Sequence, residues 1–517
     1  MTKDRLVQVV DLFAGPGGLG EGFSSLHDKF KILVSAEMDP HAHSTLRLRA
    51  FYRLLKREYP QRLTDYYDFC NGVAETPYSQ LSRGIWEKAE KEARQITLGS
   101  IEGNRELDNV LEHGLDKNRP WVLIGGPPCQ AYSLVGRARN RGNSEYEAEK
   151  DDRHFLYKEY LRIIAEYRPT VFVMENVKGI LSSTVAGGKV FNEILKDLSA
   201  PQLSMGSRES DLKEDRYVIC SLTTGSEFRH GDSLEQFDAR EFIINAENHN
   251  IPQARHRVIL LGIKESAWVS FTSLSKSDSV PLSSAISALP PLRSKISKQI
   301  DIQEEWYEVI DSHIQNLLSS IKKGPSKLHE LSTPLEKLRM RMPRTLSTGA
   351  LRHQGYVTKR KNRSILDEWF EDKRLEVWLN HESRGHMHSD LMRYLFASVF
   401  ADHFSQTPKG ALDFSLPELR PNHKNWESGK FADRFRVQLR DRPSTTITSH
   451  ISKDGHYFIH PDPAQCRSLS VREAARLQTF PDNYFFQGNR TQQYHQVGNA
   501  VPPFLARQIA LIVSEII

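Results

Sequence analysis

The sequence predicts an α/β fold with a doubly wound, mostly parallel sheet and a second, smaller domain. Apolar and β-branched runs at residues 6–13, 31–36 and 121–124 have the composition of buried parallel strands. Helix-forming segments separate these runs, and glycine-rich or proline-rich turns follow them, as in consecutive βαβ units. The alternation stops near residue 290, where an irregular and basic stretch begins. This change of pattern predicts the second domain.

The chain of 517 residues is long enough for two or three domains. We expect residues 1–290 to form the first domain, with an insertion at about residues 47–118. Residues 291–439 are predicted to form the second domain. Residues 440–517 should return to the first domain and end in an apolar helix.

Two charged, helix-forming segments dominate the predicted insertion, at residues 46–58 and 85–94. Their mixed charge predicts helices that lie on the surface and carry no chemistry. Residues 98–101, Leu-Gly-Ser-Ile, are interpreted as the end of the third strand.

Composition argues against several classes of protein. No apolar run is long enough to span a bilayer and the start lacks a signal-peptide pattern, so we expect a cytoplasmic protein. The four cysteines lie far apart in the sequence, and no CxxC pair occurs. This spacing argues against a disulfide framework and against a structural zinc site. We therefore expect reduced thiols and no bound metal.

Net charge is +5, but its distribution is uneven. Residues 321–363 contain twelve Lys and Arg residues against two acids, which leaves +10 in this stretch and −5 in the rest. Such a cationic block indicates a polyanionic partner, although a solvated basic loop explains it equally well when it is considered alone. A nearby polar cluster lacks a convincing zinc-ligand spacing and is interpreted as a polar or phosphate-facing surface. Its members are His381, Arg384, His386 and His388.

A glycine-rich turn follows the first predicted strand. Gly15, Gly17 and Gly20 fit the GxGxxG pattern, which lets a ligand approach the backbone. The pattern suits a dinucleotide, S-adenosylmethionine, or a loop that needs positive φ and binds nothing. Glu37 ends the second strand, where a carboxylate can accept hydrogen bonds from ribose hydroxyls, and Met38 beside it can cover an adenine face. The order of these elements favours a ligand that contains a nucleoside.

A rigid turn, Gly-Gly-Pro-Pro-Cys-Gln, follows the strand at residues 121–124 and presents Cys129 at the carboxyl end of that strand. Open α/β sheets bind their ligands at this edge, which favours a nucleophilic thiol over a buried structural cysteine. Glu175 lies at the end of the next predicted strand, at residues 170–177. The thiol and the carboxyl group can therefore converge on one small ligand, with Glu175 as a proton donor.

Two further features suggest anion binding. Arg255 and Arg257 alternate before the last core strand, so both side chains would point the same way from an extended backbone and could clamp an anion. Surface salt bridges are the alternative interpretation. Glycines and arginines between residues 136 and 150 suggest a lid that closes over phosphates, with a disordered loop as the alternative.

Taken together, six motifs resemble those of the cytosine-C5 DNA methyltransferase family of bacterial restriction-modification systems. They occur in the family's order and cover roughly residues 5–290 and 440–517, whereas the middle of the chain is unmatched. The motifs are Asp11-Leu-Phe-Ala-Gly-Pro-Gly-Gly, Gly126-Pro-Pro-Cys-Gln, Glu175-Asn-Val, Gln253-Ala-Arg-His-Arg-Val, Arg442-Pro-Ser-Thr-Thr-Ile-Thr and Gln496-Val-Gly-Asn-Ala-Val-Pro-Pro.

The resemblance implies a role for each matched residue. Cys129 would be the nucleophile, Glu175 would contact the edge of the cytosine ring, and Arg255 and Arg257 would steady the base and the loop. S-adenosylmethionine would be the methyl donor. Ser100 stands where the family has an acid that reaches the adenine amino group, which leaves that contact open. The cofactor pocket would be lined by Phe13, Gly15, Gly17, Gly18, Glu37, Met38, Ile101 and Asn499.

The resemblance also implies the reaction and the partners. A methyl group would pass to C5 of a cytosine within a specific short sequence of duplex DNA, after the base leaves the stack and Cys129 adds to its C6. The first domain would have the S-adenosylmethionine-dependent methyltransferase fold, and residues 291–439 would read the major groove as a target-recognition domain. We expect a monomer, with any cognate restriction endonuclease acting separately.

Three alternatives remain at this point. An RNA cytosine-C5 methyltransferase would share the catalytic fold, although the large basic middle region favours duplex DNA. A non-catalytic, sequence-specific DNA-binding regulator would form no covalent adduct, but Cys129, Glu175 and both arginines are all present. A nicotinamide oxidoreductase could use the glycine turn and would leave the Pro-Pro-Cys turn unexplained.

Overall fold

The structure is a computed structural model of the whole chain. It describes residues 6–128, 153–185, 188–206, 216–234, 237–358, 362–421, 426 and 434–517. Cys129 and the predicted lid at residues 136–150 lie outside the described residues.

The strands divide into one large sheet and four small two-stranded sheets. Their bounds are β1 (Val7–Leu12), β2 (Phe30–Glu37), β3 (Ala93–Gln95), β4 (Trp121–Gly125), β5 (Val171–Val177), β6 (Thr184–Val185), β7 (Gly188–Lys189), β8 (Tyr217–Ser221), β9 (Glu227–Phe228), β10 (Ile243–Asn245), β11 (Gln253–Ala254), β12 (His256–Lys264), β13 (Lys295–Ile296), β14 (Gly349–Gln354), β15 (Val377–Glu382), β16 (Gly385–His386) and β17 (Ser444–Thr445).

Over the described residues the large sheet has nine strands in the order β3-β2-β1-β4-β5-β12-β8-β9, and β10 also pairs with β12. The five strands from β3 to β5 are parallel, whereas β12 is antiparallel to its neighbours β5, β8 and β10. The chain passes from β1 to β2 and β3 on one side and returns to β4 on the other side of β1. The sheet therefore has a topological switch point between β1 and β4, where open α/β sheets bind their ligands.

The α-helices connect these strands and build the middle of the chain. Their bounds are α1 (Gly18–Ser24), α2 (Pro40–Glu58), α3 (Leu63–Asn71), α4 (Arg83–Glu92), α5 (Ile101–Gly114), α6 (Arg153–Tyr167), α7 (Val190–Ser199), α8 (Pro201–Ser204), α9 (Leu282–Ile286), α10 (Gln303–Ile321), α11 (Ser332–Arg341), α12 (Ile365–Phe370), α13 (His388–Phe404), α14 (Gly410–Asp413), α15 (Val471–Leu477), α16 (Arg490–Asn499) and α17 (Pro503–Ile516).

Helices cover both faces of the large sheet, which confirms the predicted fold class. On one face, apolar side chains of α5, α6 and α7 pack on β1, β4 and β5 in one buried cluster. On the other face, α1, α9, α15 and α17 pack together in a second cluster. The terminal helix α17 lies so close to α1 that a Cβ on Gly22 would come within 2.3 Å of the Cβ of Ala506. Because helices cover both faces of the sheet, side chains on both faces of a strand are apolar. The predicted strands are therefore continuous hydrophobic runs.

A separate apolar cluster forms in the middle of the chain. Trp306 and Ile314 of α10 pack against Leu395 and Phe400 of α13, and most of the cluster comes from residues 296–437. The antiparallel pair β14–β15 lies outside this cluster, because its residues contact α2 and α3 instead. The middle of the chain therefore contributes most of an apolar core that is distinct from the two clusters on the large sheet.

The structure corrects two predictions about residues 46–118. Residues 46–58 do not lie on the surface: Phe51 and Leu55 of α2 are fully buried, and Arg49 is only 4% exposed. Residues 98–101 do not end a strand, because β3 stops at Gln95 and α5 begins at Ile101. Because β3 belongs to the large sheet and α5 to the layer that covers it, residues 46–118 supply part of the core in addition to helices α3 and α4.

Among the described residues, no helix is both long and apolar enough to cross a membrane.

Candidate active site

The carboxyl ends of three adjacent strands meet at the switch point. Leu12 of β1 lies in register with Gly125 of β4, which in turn lies in register with Met174 of β5. The residue that follows each of these positions therefore lies at the same end of the sheet, although β5 itself continues to Val177. Those three residues are Phe13, Gly126 and Glu175.

The glycine turn after β1 has left-handed backbone at three positions. Phe13 has φ +56°, Gly15 has +57° and Gly17 has +94°. Such angles cost an L side chain about 1 kcal/mol or more, so glycine is the natural residue at two of them. The Gly17 amide donates to the carbonyl of Ala14 at 2.9 Å and closes the turn. A Cβ on Gly15 would meet no described heavy atom within 4 Å, so the backbone is open to a ligand on that side.

Glu37 fixes the tip of β2 against the glycine turn. Its Oε2 accepts a hydrogen bond from the Gly15 amide at 2.8 Å, and its Oε1 accepts one from the Asp39 amide at 2.8 Å. Burial raises the pKa of Glu37, and both hydrogen bonds oppose that shift. The carboxylate is thus oriented by the turn that it stabilises.

Two apolar side chains of the predicted cofactor pocket are not packed into a core. Met38 is 60% exposed and Ile101 is 75% exposed. Ser100 caps helix α5, because its Oγ accepts from the Gly103 amide at 3.0 Å and donates to the Thr97 carbonyl at 2.7 Å. The hydroxyl of Ser100 is therefore engaged within its own turn.

Residues 440–517, the closing segment, pack on the glycine turn from the far end of the chain. A Cβ on Gly18 would lie 2.1 Å from the carbonyl oxygen of Val501. Asn499, the last residue of α16, is exposed, and its Nδ2 lies 3.3 Å from Nδ1 of His495. Glycine at position 18 is required by this close approach rather than by its backbone angle.

Asp11 is a buried acid that sequence reasoning did not single out. Its side chain is 1% exposed at the end of β1, and its Oδ2 has no hydrogen-bond partner among the described residues. Burial raises the pKa of Asp11 to about 8, Glu37 adds to the shift, and Arg53 opposes it. The only sequence signal was its place at the start of the Asp11-Leu-Phe motif. That resemblance gives no indication that the side chain is buried.

On the other side of the switch point, Glu175 lies against the Gly-Gly-Pro-Pro turn. A Cβ on Gly126 would come within 2.9 Å of Oε2 of Glu175. The adjacent Asn176 donates from Nδ2 to the carbonyl of Pro127 at 3.2 Å. The tip of β5 therefore holds the described part of the turn that leads to Cys129.

Arg257 completes this half of the site. Its Nε lies 2.8 Å from Oε1 of Glu175, and both side chains are nearly buried. Burial lowers the pKa of Arg257, and the carboxylate of Glu175 counteracts that shift. With Oε1 held by the guanidinium, Oε2 is the oxygen on the side of Gly126.

Arg255 lies deeper than Arg257 and faces a different set of groups. It is 2% exposed, and it donates to the carbonyls of Ile447 at 2.8 Å and Gly498 at 3.3 Å. Burial lowers the pKa of Arg255 well below its usual range, and the nearby Arg257 adds to the shift. The two arginines thus do not form a single clamp, because one pairs with Glu175 and the other holds the closing segment.

The histidine cluster proves to be mostly internal, which corrects its interpretation as a phosphate-facing surface. His381 and His386 are buried, and Arg384 donates to the carbonyls of Ile451 and Lys453. Only His388 of the four is exposed. Within the described residues, no group of three His, Cys, Asp or Glu side chains is arranged to hold a metal ion.

The geometry places Glu37 against the glycine turn, and it places the Glu175–Arg257 pair against the described part of the turn that precedes Cys129. A family model described as "C-5 cytosine-specific DNA methylase" matches residues 83–201 and 234–515. The chain belongs to that family. It is therefore a DNA (cytosine-5-)-methyltransferase, and methyl transfer to DNA cytosine is its class of reaction. Family membership also removes the nicotinamide oxidoreductase from consideration.

Similar proteins extend over the whole chain. Type II methyltransferase M.Bpa9945I of Bacillus paralicheniformis is 33% identical, over 98% of this chain and 99% of its own length. Type II methyltransferase M.AgeI of Thalassovita gelatinovora is 27% identical, over 98% of each chain. The crystal structure of a candidate DNA modification methyltransferase encoded within an E. coli prophage shares the fold, with 17% identity, a TM-score of 0.52 and 99% coverage of both chains.

Proposed function

We propose that this methyltransferase transfers a methyl group from S-adenosylmethionine to C5 of cytosine within a specific short sequence of duplex DNA. The observation that carries the proposal is the Glu175–Arg257 pair, which lies against Gly126 at the same sheet edge as the glycine turn. A fixed carboxyl group and a fixed cation in a nearly buried position can stabilise charge that develops on a pyrimidine ring.

The residues around the glycine turn fit S-adenosylmethionine. The open side of Gly15 leaves room for a ligand to approach the backbone, and the carboxylate of Glu37 can still accept from ribose hydroxyls. Met38 and Ile101 offer exposed apolar surface for an adenine ring, and Phe13, Gly17, Gly18 and Asn499 complete the proposed pocket. When bound there, the cofactor supplies the methyl group.

The catalytic roles follow from the chemistry of cytosine, whose C5 is too weak a nucleophile to accept a methyl group directly. The thiolate of Cys129 adds to C6, and the electron pair of the C5–C6 double bond becomes available at C5. Glu175 meets the ring at N3 and holds a proton there, and Arg257 keeps Glu175 oriented. After C5 is methylated, its proton passes to solvent, the C5–C6 double bond forms again, and the bond between C6 and the Cys129 sulfur breaks to release the thiolate.

Arg255 has the contacts of a positioning residue in this scheme. Its guanidinium joins the position between β11 and β12 to the carbonyls of Ile447 and Gly498, and Gly498 precedes the segment that packs on Gly18. Arg255 would thus fix the Glu175–Arg257 side of the site, the base half, relative to the glycine turn, the cofactor half. It would not touch the base.

Exposed cations of the middle region, residues 291–439, support duplex DNA as the substrate. Exposed side chains of the cationic block include Lys322, Lys323, Lys337, Arg341 and Arg344. Neutralising several phosphates with such residues is the main source of affinity for duplex DNA. We extend the proposal to residues 291–439 as the target-recognition domain, and to residues 1–290 and 440–517 as the catalytic domain.

The biological setting is proposed from the relatives. Both curated relatives named above are called type II methyltransferases. We infer that this chain also acts in a restriction-modification system. We propose that it does so as a monomer, with a cognate endonuclease that works separately on the same DNA sequence.

Bisulfite sequencing of DNA from cells that express the wild type or the Cys129→Ala variant tests the proposal. We expect protected cytosines in one short recurring sequence with the wild type and none with the variant. A duplex with 5-fluorocytosine at the target position should form a covalent adduct with the wild type only.

The same measurements separate the alternatives. DNA binding without protected cytosines and without an adduct would indicate a regulator. Methylation of RNA but not of duplex DNA would indicate an RNA methyltransferase. Either result would refute the proposed function.

A further inference from the structure

Helices α2 and α3 form a bridge between the glycine turn and the middle of the chain. The apolar face of α2 is buried, and its Leu46 would lie 2.7 Å from a Cβ on Gly17. The same apolar cluster includes Val377 and Leu379 of β15. The bridge therefore touches the glycine turn at one end and the β14–β15 pair at the other.

Arg49 is a buried charge at the centre of this bridge. Its Nε and Nη2 donate to the two carboxylate oxygens of Glu21 at 2.8 and 2.6 Å, and its Nη1 donates to Oδ1 of Asn483 at 3.0 Å. Glu21 belongs to α1, the helix that begins at the glycine turn. A buried arginine that pairs through both branches of its guanidinium fixes geometry, because a shift of either partner would leave a charge unpaired.

Tyr484 transmits this geometry to the turn itself. Its hydroxyl donates to the carbonyl of Pro16, between the two left-handed glycines. Its ring lies 4.8 Å from the guanidinium carbon of Arg49, and the side chain is fully buried. The hydrogen bond orients the peptide plane that joins Pro16 to Gly17.

The opposite end of the bridge is attached to the middle region through Asp372. Asn483 donates from Nδ2 to Oδ2 of Asp372 at 2.6 Å, and the hydroxyl of Tyr67 in α3 donates to the same oxygen. Asn71, the last residue of α3, donates to the carbonyl of Arg374 at 3.1 Å. A continuous set of polar contacts thus runs from Asp372 through Asn483 to Arg49.

We propose that Arg49 and Tyr484 are positioning residues of the cofactor site, which hold the Pro16 carbonyl and tie the glycine turn to the middle region through Asp372. The inference rests on the proposed function, because it takes the glycine turn as the site of S-adenosylmethionine. A turn that is already ordered before binding reduces the entropic cost of binding. Loosening the turn should therefore raise the dissociation constant for S-adenosylmethionine.

The test is a calorimetric titration of S-adenosylmethionine into the full-length protein. Tyr484→Phe removes only the hydroxyl on Pro16, and Arg49→Lys keeps the charge but loses the two-pronged pairing with Glu21. We expect each change to raise the dissociation constant about 5-fold, as for one lost hydrogen bond. Asp372→Asn should raise it at least about 2-fold.

Two matched variants control for the substitutions themselves. Tyr494→Phe removes another buried tyrosine hydroxyl, which donates to the carbonyl of Leu469 at 2.6 Å rather than to the glycine turn. Arg47→Lys alters an arginine on the same helix that pairs with Glu90 at the surface. Both should leave the dissociation constant within about 2-fold of wild type.

Kinetics distinguish positioning from general stability. With Tyr484→Phe we expect the KM for S-adenosylmethionine to rise while kcat at saturating cofactor stays within about 2-fold, because the cofactor compensates when it fills the site. A folded Tyr484→Phe or Arg49→Lys variant with wild-type affinity would overturn the positioning role, and wild-type affinity in Asp372→Asn would overturn the tie to the middle region. Failure of the wild type to bind S-adenosylmethionine would refute the proposed function as well.

Discussion

Acidification from pH 7 to pH 5 should destabilise this protein through His381. The imidazole is fully buried between the closing segment and the start of the middle region, where its Nε2 donates to the carbonyl of Pro290 and its Nδ1 accepts from the hydroxyl of Ser470, both at 2.9 Å. Burial lowers the pKa of His381 from 6.5 to about 3; Glu473 opposes the shift and Arg467 adds to it.

The sign and size of the effect follow from proton linkage. A histidine whose pKa falls on folding binds its proton more readily in the unfolded chain, so its contribution is complete above pH 6.5 and is lost as the pH falls toward 3. At pH 5 the unfolded histidine is about 97% protonated and the buried one about 1%. Between pH 7 and pH 5 the free energy of unfolding should therefore fall by about 2 kcal/mol from His381 alone.

The assay compares the wild type with His381→Gln, whose amide can still donate to the Pro290 carbonyl but does not titrate. Urea unfolding of both proteins at pH 7 and pH 5 gives the loss of unfolding free energy for each. We expect the loss to be smaller in the variant by about 2 kcal/mol. Equal losses in the two proteins would refute the argument, because other histidines and acids contribute to both.

Three further predictions concern single side chains. In urea titration, Gly18→Ala should lower the free energy of unfolding by about 2 kcal/mol, because its Cβ would lie 2.1 Å from a backbone carbonyl oxygen. Gly84→Ala in α4 is the control: a Cβ there meets nothing within 4 Å, so the free energy of unfolding should not fall. Glu175→Gln should lower kcat at least about 100-fold with the dissociation constant of S-adenosylmethionine unchanged, and a smaller fall would remove Glu175 from the mechanism. Glu473→Gln should lower the free energy of unfolding by about 3 to 5 kcal/mol, because it leaves the buried guanidinium of Arg467 without its carboxylate; a loss under about 1 kcal/mol in urea titration would contradict that pairing.

Local patterns predicted the elements that depend on local chemistry. The strands at residues 121–124 and 170–177 are present within one residue of the predicted bounds, because buried parallel strands have a continuous apolar composition. The Ser470-Val-Arg-Glu pattern is typical of a helix start with a capping box, and in the structure both halves of that box form between Ser470 and Glu473. Glu37 was singled out because a carboxylate at the tip of the second strand can accept hydrogen bonds from ribose hydroxyls, and the structure adds its hydrogen bond to the glycine turn.

Long-range pairing of buried charges could not be predicted. Arg49 lies in a run of alternating Leu and Arg, which has the composition of a surface helix until Glu21 and Asn483 are known to lie beside it. The same holds for Arg255, whose acceptors are backbone carbonyls 192 and 243 residues away. Backbone acceptors have no sequence signature, so an arginine that binds them looks like any other.

The arrangement of these partners explains why the closing segment carries two of the six motifs although it supplies few groups to the chemistry. Val501 limits residue 18 to glycine, and Tyr484 holds the carbonyl of Pro16. Arg255, which immediately precedes β12, donates to the Gly498 carbonyl of the same segment. The cofactor half and the base half of the site are thus each fastened to residues near the end of the chain, and neither half has its final geometry until that segment has docked. Loop closure over such separations costs entropy, which the contacts of the docked segment must offset.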